Sequence, residues 1–111
     1  MKTEQITLIT SIIAAADLST SKNLFIGFDG NLNTSGAKSL GVLNENVALG
    51  EQAPVAVSGI ALVKSGAAIT VGSRVQADAV GKAVTLTAGQ LSGYTLDAAS
   101  DADELIRVLL A

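Results

Sequence analysis

GVLNENVALGEQAPVAV, residues 41–57, is answered near the end of the chain by GYTLDAASDADELIRVLL, residues 93–110. Aligning Glu51 with Glu104, a shift of 53 residues, places Val55 on Val108 and Val57 on Leu110, and brings Gly41 within one residue of Gly93. Each copy reads as glycine, short strand, acidic turn and apolar strand. A strand-turn-strand unit written twice, with β-branched residues between glycine punctuation, is the pattern of an all-β domain.

Working outward, residues 5–13 are β-branched almost without interruption, which stiffens χ1 and suits a pleated strand. Residues 1–5 read as a flexible N-terminal arm and residues 14–17 as an added helical turn. The apolar run 24–28 predicts a second strand, and Asp29-Gly30-Asn31 opens a polar loop that continues to Gly36. Strands are expected over 40–43 and 53–62, with Gly59 marking a bulge and Pro54 at a strand start or sheet edge. Residues 69–71 and 74–77 predict two short strands broken at Gly72, followed by a hairpin loop at 78–81 and a return over 82–87. Turn signals this frequent predict a small glycine-punctuated β-sandwich or barrel, one domain spanning residues 1–111 with its globular part at 6–111.

One stretch supports two readings. Ser100-Asp101-Ala102-Asp103, with an acid three residues after a capping serine, is a helix-start signature. Residues 105–110 are apolar on both alternating faces apart from Arg107, so periodicity does not separate helix from strand, and the internal echo favours strand.

Composition narrows the function. The 111 residues include no His, Cys or Trp, which removes the usual general base, the commonest metal ligand and thiolate chemistry together. A net charge of −3 with seven scattered basic residues argues against nucleic acid, whose affinity comes from clustered Lys and Arg. The apolar run 6–16 is far shorter than the ~20 residues of a membrane span, so no membrane partner is expected. Lys2 followed by that run and by Ala14-Ala15-Ala16 imitates a signal peptide, against which stand Glu4 and the hydroxyls of Thr7, Thr10 and Ser11.

Three constellations bear on chemistry. Ser35-Gly36-Ala37-Lys38-Ser39 lacks the glycine spacing of a phosphate loop. Asp29, Asn31 and Asn33 alternate like the first ligands of a calcium loop, but Thr34 and Leu40 occupy the places where glycine and glutamate belong, and an Asx-rich turn accounts for them, with a weak calcium site as the alternative. Asp97, Asp101, Asp103 and Glu104 have no electrophile or sugar platform beside them, so they read as solvated turn acids. Asn33-Thr34-Ser35 matches a glycosylation acceptor, which has meaning only in an exported chain. No enzyme activity, catalytic residue, metal or cofactor is therefore expected, and contact is the expected mode of action.

The order of Leu40-Gly41-Val42-Leu43, residues 50–57, 58–63 and 72–83, and then residues 92–100 with 105–110, resembles the small capsid cement, or head decoration, proteins of tailed bacteriophages, over residues 24–111. The resemblance implies a structural virion protein on the outer surface of the capsid, bridging major capsid protein subunits, as a homo-oligomer with a trimer favoured. Contact residues are expected in the arm, at Lys2, Thr3, Glu4 and Gln5, and in exposed loops, at Asn31, Asn33, Asn44 and Asn46. The alternatives are an exported β binding module using the signal-like N-terminus, or a receptor- or carbohydrate-binding head appendage, which the scarcity of aromatics disfavours.

Overall fold

The computed structural model describes Lys2–Ala111; Met1, the first residue of the expected arm, lies outside the described residues. Eight strands follow one another: β1 (Gln5–Ile13), β2 (Phe25–Ile26), β3 (Gly41–Leu43), β4 (Gln52–Lys64), β5 (Arg74–Ala77), β6 (Ala83–Thr85), β7 (Gly93–Thr95) and β8 (Leu105–Leu110). All named strand pairs are antiparallel and belong to one sheet.

The thirteen-residue β4 organises the molecule. One of its edges carries β1, from Gln52 to Ile60. Its other edge is shared: β3 pairs at Val55 and Ala56, and β8 takes over from Ile60 to Lys64. From β8 the sheet continues through β7 and β5 to β6, and Ala83 of β6 bridges in parallel to Ser65, one residue past β4. That bridge, with the Gly66 amide donating to the Ala83 carbonyl at 2.7 Å, closes β4-β8-β7-β5-β6 into a small barrel.

Closure suits this composition, because a small barrel interior is filled by short side chains that alternate with outward-facing ones. Ala61 and Val63 of β4, Ile106 and Val108 of β8, and Val75 and Ala77 of β5 point inward and are fully buried. Phe25 and Val42 cap that core from the β2-β3 side. A second cluster lies on the opposite face of the β2-β3-β4 layer, where Ile26, Leu43, Val55 and Ala53 pack on Ala14, Leu18 and Val47. β4 therefore serves two cores, and its alternation must switch partway along. The switch falls at Gly59, whose φ of 97° is open to glycine at little cost, beside an irregularity in the β1 register between Ile6 and Ile9. The bulge expected at Gly59 is thus the device that lets one strand serve both cores.

Pro54 is the third residue of β4. Its carbonyl accepts from the Asn44 amide at 2.9 Å, so its missing N–H faces the side on which β3 has just ended, and no ladder bond is lost.

Several local expectations are corrected. Residues 14–17 form no helical turn: the Ala14 and Ala15 amides donate to the Glu51 and Gly30 carbonyls, and Leu18 bridges to Val47. Three alanines are too few to nucleate a helix against those tertiary bonds. The strand expected at 24–28 shrinks to Phe25–Ile26 because the Gly27 amide turns to the Asn31 carbonyl. The strand expected at 69–71 is a single bridge between Ile69 and Ala99. Residues 105–110 are strand, and the capping signature before them is spent on a turn in which Asp103 takes a positive φ.

The internal echo is structural. β3-β4 and β7-β8 are both antiparallel hairpins, and a Cβ at Gly41 would collide with the Ala56 carbonyl just as one at Gly93 would collide with the Leu109 carbonyl. Ala56 and Leu109 are related by the same shift as Glu51 and Glu104. The two acids also do the same work. A Glu51 carboxylate oxygen accepts from the Ala48 amide at 2.7 Å, and Glu104 accepts from the Ser100 amide at 3.2 Å and the Ser100 hydroxyl at 2.5 Å.

Candidate interaction surfaces

The four acids near the C-terminus do not converge. Asp97 grips Arg107, Asp101 accepts from the Ala102 amide, Asp103 pairs with Lys82 and Glu104 holds Ser100. Among the described residues no group of three or more potential metal-ligating His, Cys, Asp or Glu side chains assembles, and no helix is long and apolar enough to cross a membrane.

Asp29 and Asn31 form an Asx turn, the Asp29 carboxylate accepting from the Asn31 amide at 3.1 Å and from its side chain at 3.2 Å. Those bonds hold the Asp29 carboxyl below the usual range. Asn33 is only 2% exposed and its Nδ2 donates to the Ala37 carbonyl at 2.7 Å. Its amide ties the loop from inside. Asn31 and Asn46 are exposed, Asn44 is half-buried, and the Asn46 side chain accepts from the Lys22 amide.

The expected arm lies along the sheet. The Lys2 ammonium donates to the Leu105 carbonyl at 2.8 Å, Glu4 accepts from the Leu62 amide at 3.2 Å, Thr3 is exposed and Gln5 already pairs with Ile60 as the first residue of β1.

Two apolar surfaces stand out instead. The first is β1 itself, which pairs with β4 alone and is exposed along nearly its whole length, Leu8 at 57%. From Gln5 to Ile13 it has no charge and no proline, the devices that ordinarily block edge pairing. The second is the outer face of the barrel wall. Register places Ile60, Leu109, Tyr94 and Arg74 in one row across β4, β8, β7 and β5, and Leu62 beside Arg107 in the next. Leu109, Tyr94 and Leu105 are large and exposed.

Arg107 sits in this apolar field without a free charge. Its Nε and Nη2 donate to the two Asp97 oxygens at 3.0 Å each, and its own backbone amide donates to Asp97 at 2.9 Å. The guanidinium and that amide outweigh desolvation and bring the Asp97 carboxyl to about 2, while the Arg107 pKa rises. The pair is a planar, bidentate clamp that leaves the face nearly neutral at its centre.

Sequence reasoning put the contacts in the arm and in polar loops and passed over the exposed apolar side chains of Leu8, Tyr94, Leu105 and Leu109. The signal was present in residues 105–110, apolar on both faces, the pattern of a strand covered on both sides.

An all-β barrel carrying exposed apolar faces is a scaffold suited to contact. Its fold is that of a phage head component: the structure described as "head fiber gp8.5 N base in bacteriophage phi29" matches with a TM-score of 0.74, at 18% identity, over 94% of this chain and 95% of that one. No curated protein matches the sequence significantly. The chain matches the phage cement proteins over residues 2–110 and belongs to that family. It is a structural, capsid-associated protein of the phage virion.

Proposed function

We propose that the protein decorates the outer surface of a tailed-phage head, where copies bridge neighbouring major capsid protein subunits and stabilise the shell, and that it acts as a homo-oligomer, a trimer being favoured. The observation that carries this reading is β1, a nine-residue uncharged edge strand with exposed Leu8, Ile9 and Ile13. A free edge offers a row of backbone donors and acceptors that an added strand satisfies, which is a recurrent mode of protein recognition. Repetition over a symmetric shell then turns modest contacts into lasting attachment by avidity. The arm residues Lys2, Thr3, Glu4 and Gln5 lead directly into that edge and belong to the proposed contact.

Co-sedimentation with undecorated mature heads of the encoding phage tests the proposal. Saturable binding at a fixed ratio to the major capsid protein is expected, and Leu8→Lys, which places a charge on the pairing edge, should abolish most of it. Wild-type protein that stays in the supernatant of intact heads would refute the decoration reading.

A further inference from the structure

The connection between β2 and β3 forms a surface pocket of 230 Å³. Its apolar side is made by Phe28, Leu32 and Ala37, and its polar side by Asp29, Asn33, Thr34 and Lys38. Phe28 is 63% exposed. Asn33 is the informative residue, because it is almost wholly buried and yet half of its amide is unused. Its Nδ2 donates to the Thr34 and Ala37 carbonyls, which fixes the orientation of the amide. Its Oδ1 accepts from no donor among the described residues, and none of their side-chain polar atoms is fully buried without a partner. Oδ1 therefore meets open space, and that space is the pocket Asn33 lines. Gly27 keeps the pocket floor clear: a Cβ there would stand 3.2 Å from Asp29 Oδ1 and 3.6 Å from Asn33 Oδ1. Both oxygens border the volume that the glycine leaves empty.

We propose that this pocket binds a single neutral sugar ring, with the ring's C–H face on Phe28 and its hydroxyls on Asp29, Asn33 and Lys38. A pyranose is apolar on one face and carries donors and acceptors around its edge, and the pocket has both halves of that pattern. The Asp29 oxygens each accept one bond from Asn31 and keep a further lone pair, while Asn33 Oδ1 keeps both of its own. Adjacent ring hydroxyls donate to these two residues. The Lys38 ammonium reaches the Leu91 and Ala111 carbonyls only at 3.5 and 3.4 Å, the long limit of a hydrogen bond, so it retains donors for a ring or hydroxyl oxygen. One carboxylate and one ammonium leave the lining without net charge, so the site does not select an ion. An apolar wall with a few convergent polar groups is the general anatomy of a small-molecule pocket, and drug-sized ligands occupy roughly 300–1,000 Å³. The smaller volume here limits the occupant to one ring. No residue of β1 or of the arm lines the pocket, so docking through that edge does not use it up.

The test is a titration of the full chain, labelled with nitrogen-15, read by the backbone and side-chain amide resonances. The probes are the methyl glycosides of glucose, galactose and mannose, and free N-acetylglucosamine and N-acetylgalactosamine, with calcium chloride as a separate arm. At least one sugar should give saturable shifts confined to residues 27–38 and the Asn33 side-chain amide, with a dissociation constant of about 1–10 mM, as one ring on a few hydrogen bonds allows. Phe28→Ala should weaken that binding about 10-fold or more by removing the platform, and Asp29→Asn about 5-fold by removing the charged acceptor. Both side chains are exposed, so resonances remote from the pocket should not move. No saturable shift with any of the five sugars would overturn the proposal, as would undiminished binding by both variants. Shifts at these residues with calcium chloride and with no sugar would make it a cation site instead. The readout uses free protein, so its failure leaves the decoration reading standing, and failure to bind heads leaves this one standing.

Discussion

The two hairpins of this barrel share a construction and differ in surroundings. In both, a glycine on the first strand lies against the carbonyl of the equivalent residue on the second, and a glutamate folds back on the backbone of the connecting turn. Yet the first half of β4, around Val55 and Ala56, is enclosed by β1, β3 and two apolar clusters, whereas β8 buries Ile106 and Val108 inward and leaves Leu105 and Leu109 outward. One hairpin is covered on both faces where its two strands pair. The other buries one apolar face and exposes the second.

The largest effects should come where the hairpins are alike. Gly41→Ala and Gly93→Ala each force a Cβ into a backbone carbonyl that cannot move without breaking a ladder, and each should cost about 3 kcal/mol in chemical denaturation. A tolerated alanine at either position would break the equivalence of the two units.

Next comes the contrast between faces of β8. Ile106→Ala should cost roughly 2–4 kcal/mol, since the inner face is close-packed. Leu109→Ala should change the stability of the isolated chain by no more than about 0.5 kcal/mol, as for other exposed sites. Similar losses at both positions in the monomer would mean that the outer face is already covered within the chain.

Acid sensitivity should be a property of the second hairpin's clamp. The Asp97 carboxyl is held near 2 against an ordinary 3.8, so its contribution is complete above about pH 4 and is lost as pH falls through about 2. Arg107 is partly solvated, and screening by water and salt makes the clamp's contribution small. Asp97→Asn should remove that increment at pH 7 and flatten the melting curve's dependence on pH between about 4 and 2. An unchanged acid limb in this variant would assign the pH dependence elsewhere.

The smallest effect is reserved for the turn. Glu104→Gln should leave the barrel intact and speed hydrogen exchange at the Ser100 amide, with a matching change at the Ala48 amide in Glu51→Gln. Unaltered exchange at both amides would show that the glutamates are not what holds the turns.

Much of this architecture was legible from the residues. The echo located both hairpins because glycine at a close approach and glutamate in a turn are specific demands, and Gly59 announced the bulge for the same reason. What was not legible depended on tertiary partners. Ala14-Ala15-Ala16 suggested a helical turn, but its backbone bonds go to Gly30 and Glu51, distant in sequence. Asn33 was expected among exposed loop contacts because its neighbours are polar, while its side chain is buried and closes the loop from within. Residues 105–110 resisted assignment because their second apolar face has no partner in this chain.

A residue-resolution density map of mature heads carrying this protein is the most direct test. It should place the β1 edge against the shell, with Lys2, Thr3, Glu4 and Gln5 in the contact. Density in which β1 points away from the capsid would contradict it.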